Sequence, residues 1–296
     1  MSHTILRNKN LLSRIPLYFW FLIPAFLIIL FFLVYPMVYQ IYLSFFSTTF
    51  YSKGSFVGLN NYIQVLKDKI THDSFKVTVS FVALSTLFEI VWGLVLAIVF
   101  NTITKGKKFL RGILIVPLML TPVAVGSMWN LMFFPEGGVI NTVFKAFSIS
   151  QQTWLSSPIS ALFSLVLVET WQFTPFTALV LLAGLQSIPR ELYEASNIDG
   201  ASKFQSFRFI TIPLLKSLIF LAILFNIMRQ FKAFDIVYTV TKGGPGRATS
   251  VISFYIYQRA FRFYNISEAA ALSFIVLIIV LIISNVFLKI FQSNIE

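Results

Sequence analysis

From Ile15 to Ser52 the chain carries no charged side chain. A helix needs about 20 consecutive apolar residues to cross the hydrocarbon core of a bilayer, so this single stretch already calls for lipid rather than water as its surroundings. A cleaved signal peptide also starts with basic residues before an apolar run, here Arg7, Lys9 and Arg14. Its apolar core is only about 7–15 residues long, however, and this run is long enough to be a retained first span. Five more stretches of similar character follow. The predicted spans are therefore about 17–44, 77–100, 112–134, 159–186, 213–237 and 269–288, giving an all-α polytopic membrane protein read as one transmembrane domain over 1–296. Prolines fall inside several of them, at Pro24, Pro36, Pro117, Pro122 and Pro175. Membrane helices tolerate proline because neighbouring groups re-satisfy the freed backbone.

Composition agrees with this. The chain is 57% hydrophobic and 11% charged, against about 45–50% and 25% for soluble domains. Its formal charge of +12 would in a soluble chain suggest nucleic acid, but here the basic residues flank apolar spans, as membrane-protein loops do. With no cysteine, and His3 and His72 as the only histidines, thiolate and histidine metal sites are excluded. Nucleophile elbows, zinc-protease motifs and a Gly-Lys-Ser/Thr phosphate loop are also missing. The Gly-rich tract Gly243-Gly-Pro-Gly-Arg-Ala-Thr249 lacks that ending. An enzyme is thus disfavoured, and so is a secondary transporter, since no paired internal repeat is visible.

Six spans place both termini on one side. Lys105, Lys107, Lys108 and Arg111 form the densest basic cluster, which by the positive-inside rule makes that short loop, and the termini, cytoplasmic. Over the whole chain the basic residues are nearly balanced between the two sides.

The most telling loop is 188–212. Pro189 suits the start of a helix, Glu191 and Glu194 suit its positive end, and Gly200 suits a left-handed stop. Ser202 with Gln205 forms a capping box for the next helix. The expectation is two short helices joined at a glycine. The first is an acidic amphipathic rod with Leu192, Ala195 and Ser196 on one side. An interfacial lipid anchor would be rich in Lys and Arg, so a rod carrying Glu191, Glu194 and Asp199 against Arg190 alone leans toward docking on a protein.

At these residues the chain resembles the permease subunits of ATP-binding cassette importers, whose cytoplasmic Glu-Ala-Ala…Gly loop is matched by Glu194-Ala195-Ser196, Gly200 and Ile212-Pro213. Tyr35-Pro36, Leu43-Ser44-Phe45, Phe56-Val-Gly-Leu-Asn-Asn-Tyr62, Thr241-Lys-Gly-Gly-Pro-Gly246, Thr249, Tyr257, Ala260-Phe261 and Ala269-Ala270-Ala271 extend the likeness to the carbohydrate-type branch that handles maltose and glycerol phosphate. Serine in place of the second alanine and Ile-Pro in place of Leu-Pro are small departures. The resemblance implies the type I importer permease fold and a place in a bacterial or archaeal cytoplasmic membrane. It implies a second homologous permease, two ATP-binding subunits and an extracytoplasmic solute-binding protein as partners. ATP and Mg would lie on the partners, leaving no cofactor in this chain. It assigns coupling to the ATPase to Glu191, Glu194, Ala195, Ser196, Asp199, Gly200 and Ala201.

Charged and polar residues inside a span default to a functional role. Glu89, Glu169, Trp171, Gln172, Asn226, Arg229, Gln230, Lys232 and Asp235 fall in this class. Helical spacing puts Glu169, Gln172, Phe173 and Phe176 on one face, and Asn226, Arg229 and Gln230, with Ala233 below, on another. Planar polar groups beside aromatic rings suit a sugar. The resemblance carries sugar-contacting positions onto Glu169, Gln172, Phe173, Phe176, Asn226, Gln230 and Ala233, and onto the apolar Leu118 and Pro122. Two readings of Glu169 stay open: substrate contact, or an ion pair with Arg229. Glu89 reads as a packing or pairing residue. The substrate expected is a neutral mono- or oligosaccharide, with glycerol phosphate or another polyol as the alternative.

Overall fold

A computed structural model describes residues 17–48, 54–103 and 105–292; the N-terminal Arg7, Lys9 and Arg14 lie outside them. The first span is built from α1 (Leu17–Ile29), a five-residue π-turn (Leu30–Val34) and α2 (Tyr35–Ser44). The π-turn lies immediately before Pro36. Proline has no N–H and its ring crowds the carbonyl four residues back. The widened turn relieves this by letting Tyr35 N–H bond Leu30 O, five residues back. The first span leaves its apolar surface outside the bundle, touching the rest of the chain mainly through α2 against the last helix. Its end is held by the Phe56–Tyr62 motif. Asn61 Nδ2 donates to Ser44 O (2.7 Å) and Phe46 O (2.8 Å), and Tyr62 OH pairs with Ser44 Oγ (2.6 Å). Carbonyls left open at a helix end thus find donors inside the protein.

What read as a loop between the first two spans contains α3 (Asn60–Lys67), and the second span is longer than predicted: α4 runs Lys69–Thr102. The fourth, α8 (Pro158–Ser187), falls within a residue of expectation at each end. Its apolar window is the most buried of the spans, which makes α8 the core of the bundle. It packs along α4, and Gly93 permits the close approach: a Cβ there would lie 2.6 Å from Thr177 Cγ2. Small residues serve this purpose between membrane helices.

Two expectations are corrected. The third span is not continuous over 112–134. It breaks between α5 (Lys107–Met119) and α6 (Pro122–Met132), with a 93° bend. The residue before a proline avoids the helical region, and Thr121 (ψ 140°) and Leu120 (ψ 141°) are both extended. Thr121 then caps α6 by accepting from Ala124 N. Nor does the fifth span run 213–237. α10 (Lys203–Ser206), a second π-turn (Phe207–Thr211) and α11 (Ile212–Gln230) form one apolar helix from Lys203 to Gln230. The helix after Gly200 is therefore not a short one. It enters the span because the π-turn absorbs Pro213 as its counterpart absorbs Pro36.

Beyond α11 the chain makes short helices α12 (Asp235–Val240) and α13 (Ile252–Tyr257) before α14 (Ile266–Gln292). The remaining pieces are α7 (Val139–Ala146), α9 (Arg190–Ile198) and a third π-turn (Gln258–Arg262) after α13. The two ends of the bundle have separate cores. Ala97, Phe100, Leu181, Leu185 and Leu215 pack at the α9 end, and Val65, Ile252, Tyr255 and Leu272 at the other.

At that second end Asp68 is the joint. It caps α4 through Ile70 N and Thr71 N, and accepts from Tyr255 OH and Arg259 Nη2, both at 2.6 Å. Arg259 also pairs with Glu268 at the start of α14. Burial pushes the Asp68 carboxyl up, but the donors from Tyr255, Ile70, Thr71 and Arg259 together outweigh burial and hold it at about 2. A carboxylate whose pKa falls on folding contributes stability that is full above its unfolded value, near 3.9, and lost as pH drops through the folded value. The detergent-solubilised protein should therefore lose thermal stability between about pH 4 and pH 2, and Asp68→Asn should flatten that decline in a melting series. Asp68→Ala should in addition remove the cap, at about 1 kcal/mol.

Candidate functional site

The intramembrane charges converge on one point. Arg229, in the last turn of α11, sends Nη2 to both oxygens of Glu89 on α4 (2.8 Å each) and Nη1 to Glu169 on α8. Its Cζ lies 3.5 Å from the centroid of the Phe173 ring, so a cation–π contact covers one face of the guanidinium. Both carboxylates are buried, while a quarter of the arginine side chain (26%) stays exposed. Glu89 accepts a further bond from Gln230 Nε2 (3.1 Å), whose Oε1 accepts from Thr86 Oγ1 (2.8 Å). Of the two readings of Glu169, the geometry gives the ion pair, and Glu89 is the second, bidentate partner. Thr86 was missed from sequence. It lies one helical turn before Glu89, a polar residue inside an apolar span, and that spacing was the available signal.

The exposed side of Arg229 faces a cavity of about 450 Å³ lined by Pro122, Glu169, Phe173, Arg229, Lys232, Ala233 and Asp235 together with Phe225, Met228, Phe234 and Ile236. The residues nominated for a substrate path thus divide. Pro122, Glu169, Phe173, Arg229 and Ala233 meet at the cavity; Leu118, Gln172, Phe176, Asn226 and Gln230 are not in its wall. Gln172 is buried and its Nε2 donates to Leu120 O (3.1 Å). That carbonyl is freed by the break in the third span, so the amide repairs the break. Asn226 Nδ2 donates to Thr177 Oγ1 (3.1 Å) and ties α11 to α8. Gln230 serves Glu89. All three donate within the fold, and Gln230 is engaged at both ends, while Gln172 Oε1 and Asn226 Oδ1 are buried without a hydrogen-bond partner. Phe176 lies on α8 with its ring edge-on to Phe225.

At the far end of α8 the rod α9 projects from the bundle with none of its residues buried. Ile188 and Pro189 are extended (ψ 124° and 135°) and separate it from the span. Glu191 stands in its first turn, and Gly200 (φ +77°) ends it in the left-handed region, where a side chain is costly. The predicted capping box is present: Ser202 N donates to Gln205 Oε1 (2.7 Å) and Gln205 N to Ser202 Oγ (3.3 Å). Leu192, Glu194, Ala195, Asp199 and Ile198 are exposed, with Ile198 at 86%. Ala201 is half-buried. Ser196 does not share this outer surface, because its hydroxyl meets Tyr193 O (2.9 Å) and Ser206 Oγ (3.0 Å) on the inner side.

A buried charge stripped of its partner is strongly destabilising. Arg229→Met should therefore cost about 3–5 kcal/mol in denaturant unfolding of the purified protein, whereas Gln172→Leu, which leaves one carbonyl open, should cost about 1–3 kcal/mol.

Comparison with known proteins places this geometry. Residues 89–296 match the family described as binding-protein-dependent transport system inner membrane component. The trehalose/maltose transport system permease protein MalF of Thermococcus litoralis is 36% identical over 292 residues, covering 96% of this chain and 98% of that protein. The sn-glycerol-3-phosphate transport system permease protein UgpA of Agrobacterium fabrum is 34% identical over 229 residues, covering 77% and 78%. A chain from the crystal structure of a bacterial ABC transporter that imports the acidic polysaccharide alginate shares the fold, with TM-score 0.82 at 22% identity over 94% of this chain and 95% of that one. The same transporter solved with an alginate pentasaccharide-bound periplasmic protein gives 0.79 at 22% identity over 92% of each chain. This multi-pass chain belongs to the family of inner membrane components of binding-protein-dependent transport systems, as a permease subunit with the type I ABC importer fold.

Proposed function

We propose that the chain is a single transmembrane unit forming half of the translocation path for a sugar, and that α9 is its contact with a separate ATP-binding subunit. The observation that carries this reading is the form of α9. It is a nine-residue helix with no buried residue, bearing Glu191, Glu194 and exposed Leu192 and Ile198, stopped by Gly200 and set on the end of the most buried span. A lipid-lying helix would carry basic residues on its polar face; this one offers an acidic and apolar surface suited to a protein groove. The α9 end is then cytoplasmic, and the Asp68 end faces outward toward a solute-binding protein. A second permease closes the cavity. ATP and Mg reside on the motor subunits.

The substrate class follows from the cavity wall. Phe173, Phe225 and Phe234 offer rings to the apolar faces of a sugar, while Arg229 is already neutralised by two carboxylates. With Glu169 and Asp235 against Arg229 and Lys232, and Glu89 behind Arg229, the wall has no surplus of positive charge to hold an anion. A neutral mono- or oligosaccharide fits better than a phosphorylated polyol, although relatives named for both exist.

Three changes test the assignment in cells expressing the complete importer. Gly200→Pro, at a φ proline cannot adopt, and Glu194→Lys should each abolish sugar uptake while membrane insertion is unchanged, read by fractionation and uptake of labelled sugar. Retained transport in both would remove α9 from the coupling step. Ala233→Trp should fill the cavity and lower uptake at least tenfold with assembly intact. Because the chain has no native cysteine, Glu194→Cys also gives an uncluttered labelling test, and accessibility from outside the cell would reverse the orientation.

A further inference from the structure

The expected pair of short helices joined at Gly200 is instead α9 and the start of the fifth span, and the two are bonded to each other. The inner side of α9 presents Tyr193 and Ser196, three residues apart and so on one face. Ser196 Oγ meets Ser206 Oγ at 3.0 Å, and Tyr193 OH meets Thr211 Oγ1 at 2.9 Å. Ser206 and Thr211 are themselves buried. They bracket the π-turn Phe207–Thr211, Ser206 standing immediately before it and Thr211 closing it. A π-turn followed by a proline is where a long helix bends, since the carbonyl ladder slips there and one donor is missing. The two hydroxyl bonds therefore grip the fifth span on either side of its weak point.

Further contacts stiffen this unit. The elbow between the helices is only Asp199–Ser202, closed by Asp199 N to Ala195 O (3.0 Å), Ala201 N to Ser196 O (2.9 Å) and the capping box. The Tyr193 ring packs on the core formed by Ala97, Phe100, Leu181, Leu185 and Leu215. Beyond the π-turn, α11 continues unbroken to Asn226, Arg229 and Gln230. Those side chains bond α8 and α4 directly. Thr211 and Arg229 are about 27 Å apart along such a helix.

We propose that Tyr193, Ser196, Ser206 and Thr211 are positioning residues that strap the docking helix to the fifth span. With the π-turn held on both sides, displacement of α9 is carried along α11 and delivered at Arg229, on the wall of the cavity. Without the strap, α9 pivots at Gly200 and the motion is lost in the elbow. The residues touch neither nucleotide nor sugar; they act by keeping two helices in one rigid body. This rests on α9 being the docking helix, and the test separates the two ideas.

The first arm needs no partner. In the full chain reconstituted in lipid nanodiscs, spin labels at Ile198→Cys and Leu221→Cys report the distance between α9 and the fifth span. The parent protein should give one narrow distribution, and Tyr193→Phe with Thr211→Val a distribution at least twice as wide. Thr211→Ser alone, which keeps a hydroxyl facing Tyr193, should retain the narrow form. An unchanged width in the double variant, or a broadened one in Thr211→Ser, overturns the strap whatever α9 docks upon. The second arm uses the assembled importer. With equal co-purification of the ATP-binding subunit, sugar taken up per ATP hydrolysed should fall about fivefold or more for each bond removed, and Thr211→Ser alone should retain it. A normal ratio at normal assembly sinks the proposal. Failure of the docking reading shows itself differently: the ATP-binding subunit would not cross-link to Ile198→Cys, while the distance distribution would still broaden.

Discussion

A guanidinium held between two carboxylates inside an apolar bundle is the contact on which the packing of α4, α8 and α11 depends. Lipid tails give no hydrophobic drive for helices to associate, so packing and polar contacts between helices must do it. Glu89, Glu169 and Arg229 join three spans in one network, and Gln230 and Thr86 complete the bonding of Glu89. Such a network is expensive to assemble because each ion leaves water. Once formed it is hard to break piecemeal, since each departure strands a charge. The same residues line or border the cavity, so what orders the bundle also sets the polarity of that cavity.

The rule that no backbone group may stay unsatisfied in hydrocarbon accounts for much of the rest. Pro36 and Pro213 are each preceded by a π-turn, and Pro122 ends one helix and begins another. At that break the open carbonyl of Leu120 is met by the Gln172 amide from the core span. Asn61 does the same for the end of the first span. Polar residues that stand out in an apolar sequence thus have two kinds of work. Some face a cavity, and others mend the backbone where proline disturbs it.

The two ends of the molecule are built differently. Around Asp68 the helices α3, α4, α13 and α14 are locked by short charge-assisted bonds. At the α9 end the chain leaves a helix exposed, an elbow with a left-handed glycine, and a π-turn in the span it enters. One end is cross-braced and the other carries an exposed helix. The bonds from Tyr193 and Ser196 to Thr211 and Ser206 tie that helix to the fifth span.

Length and hydropathy alone placed the first, fourth and sixth spans, because a bilayer demands about 20 apolar residues whatever they pack against. Local chemistry likewise predicted the α9 rod, the Gly200 stop and the Ser202–Gln205 capping box, since caps are contacts between residues a few positions apart. The bend in the third span and the early end of the fifth were not legible. Pro117, Pro122 and Pro213 look alike in sequence, and whether a proline bends, breaks or is absorbed depends on which neighbour supplies the lost bond. The division of the polar residues was equally hidden. Gln172 and Gln230 share helical faces with cavity residues, yet only the tertiary packing shows that Gln230 is bonded at both ends and that the Gln172 nitrogen goes to Leu120 O. Periodicity says which way a side chain leaves its helix; tertiary structure alone decides what it meets there.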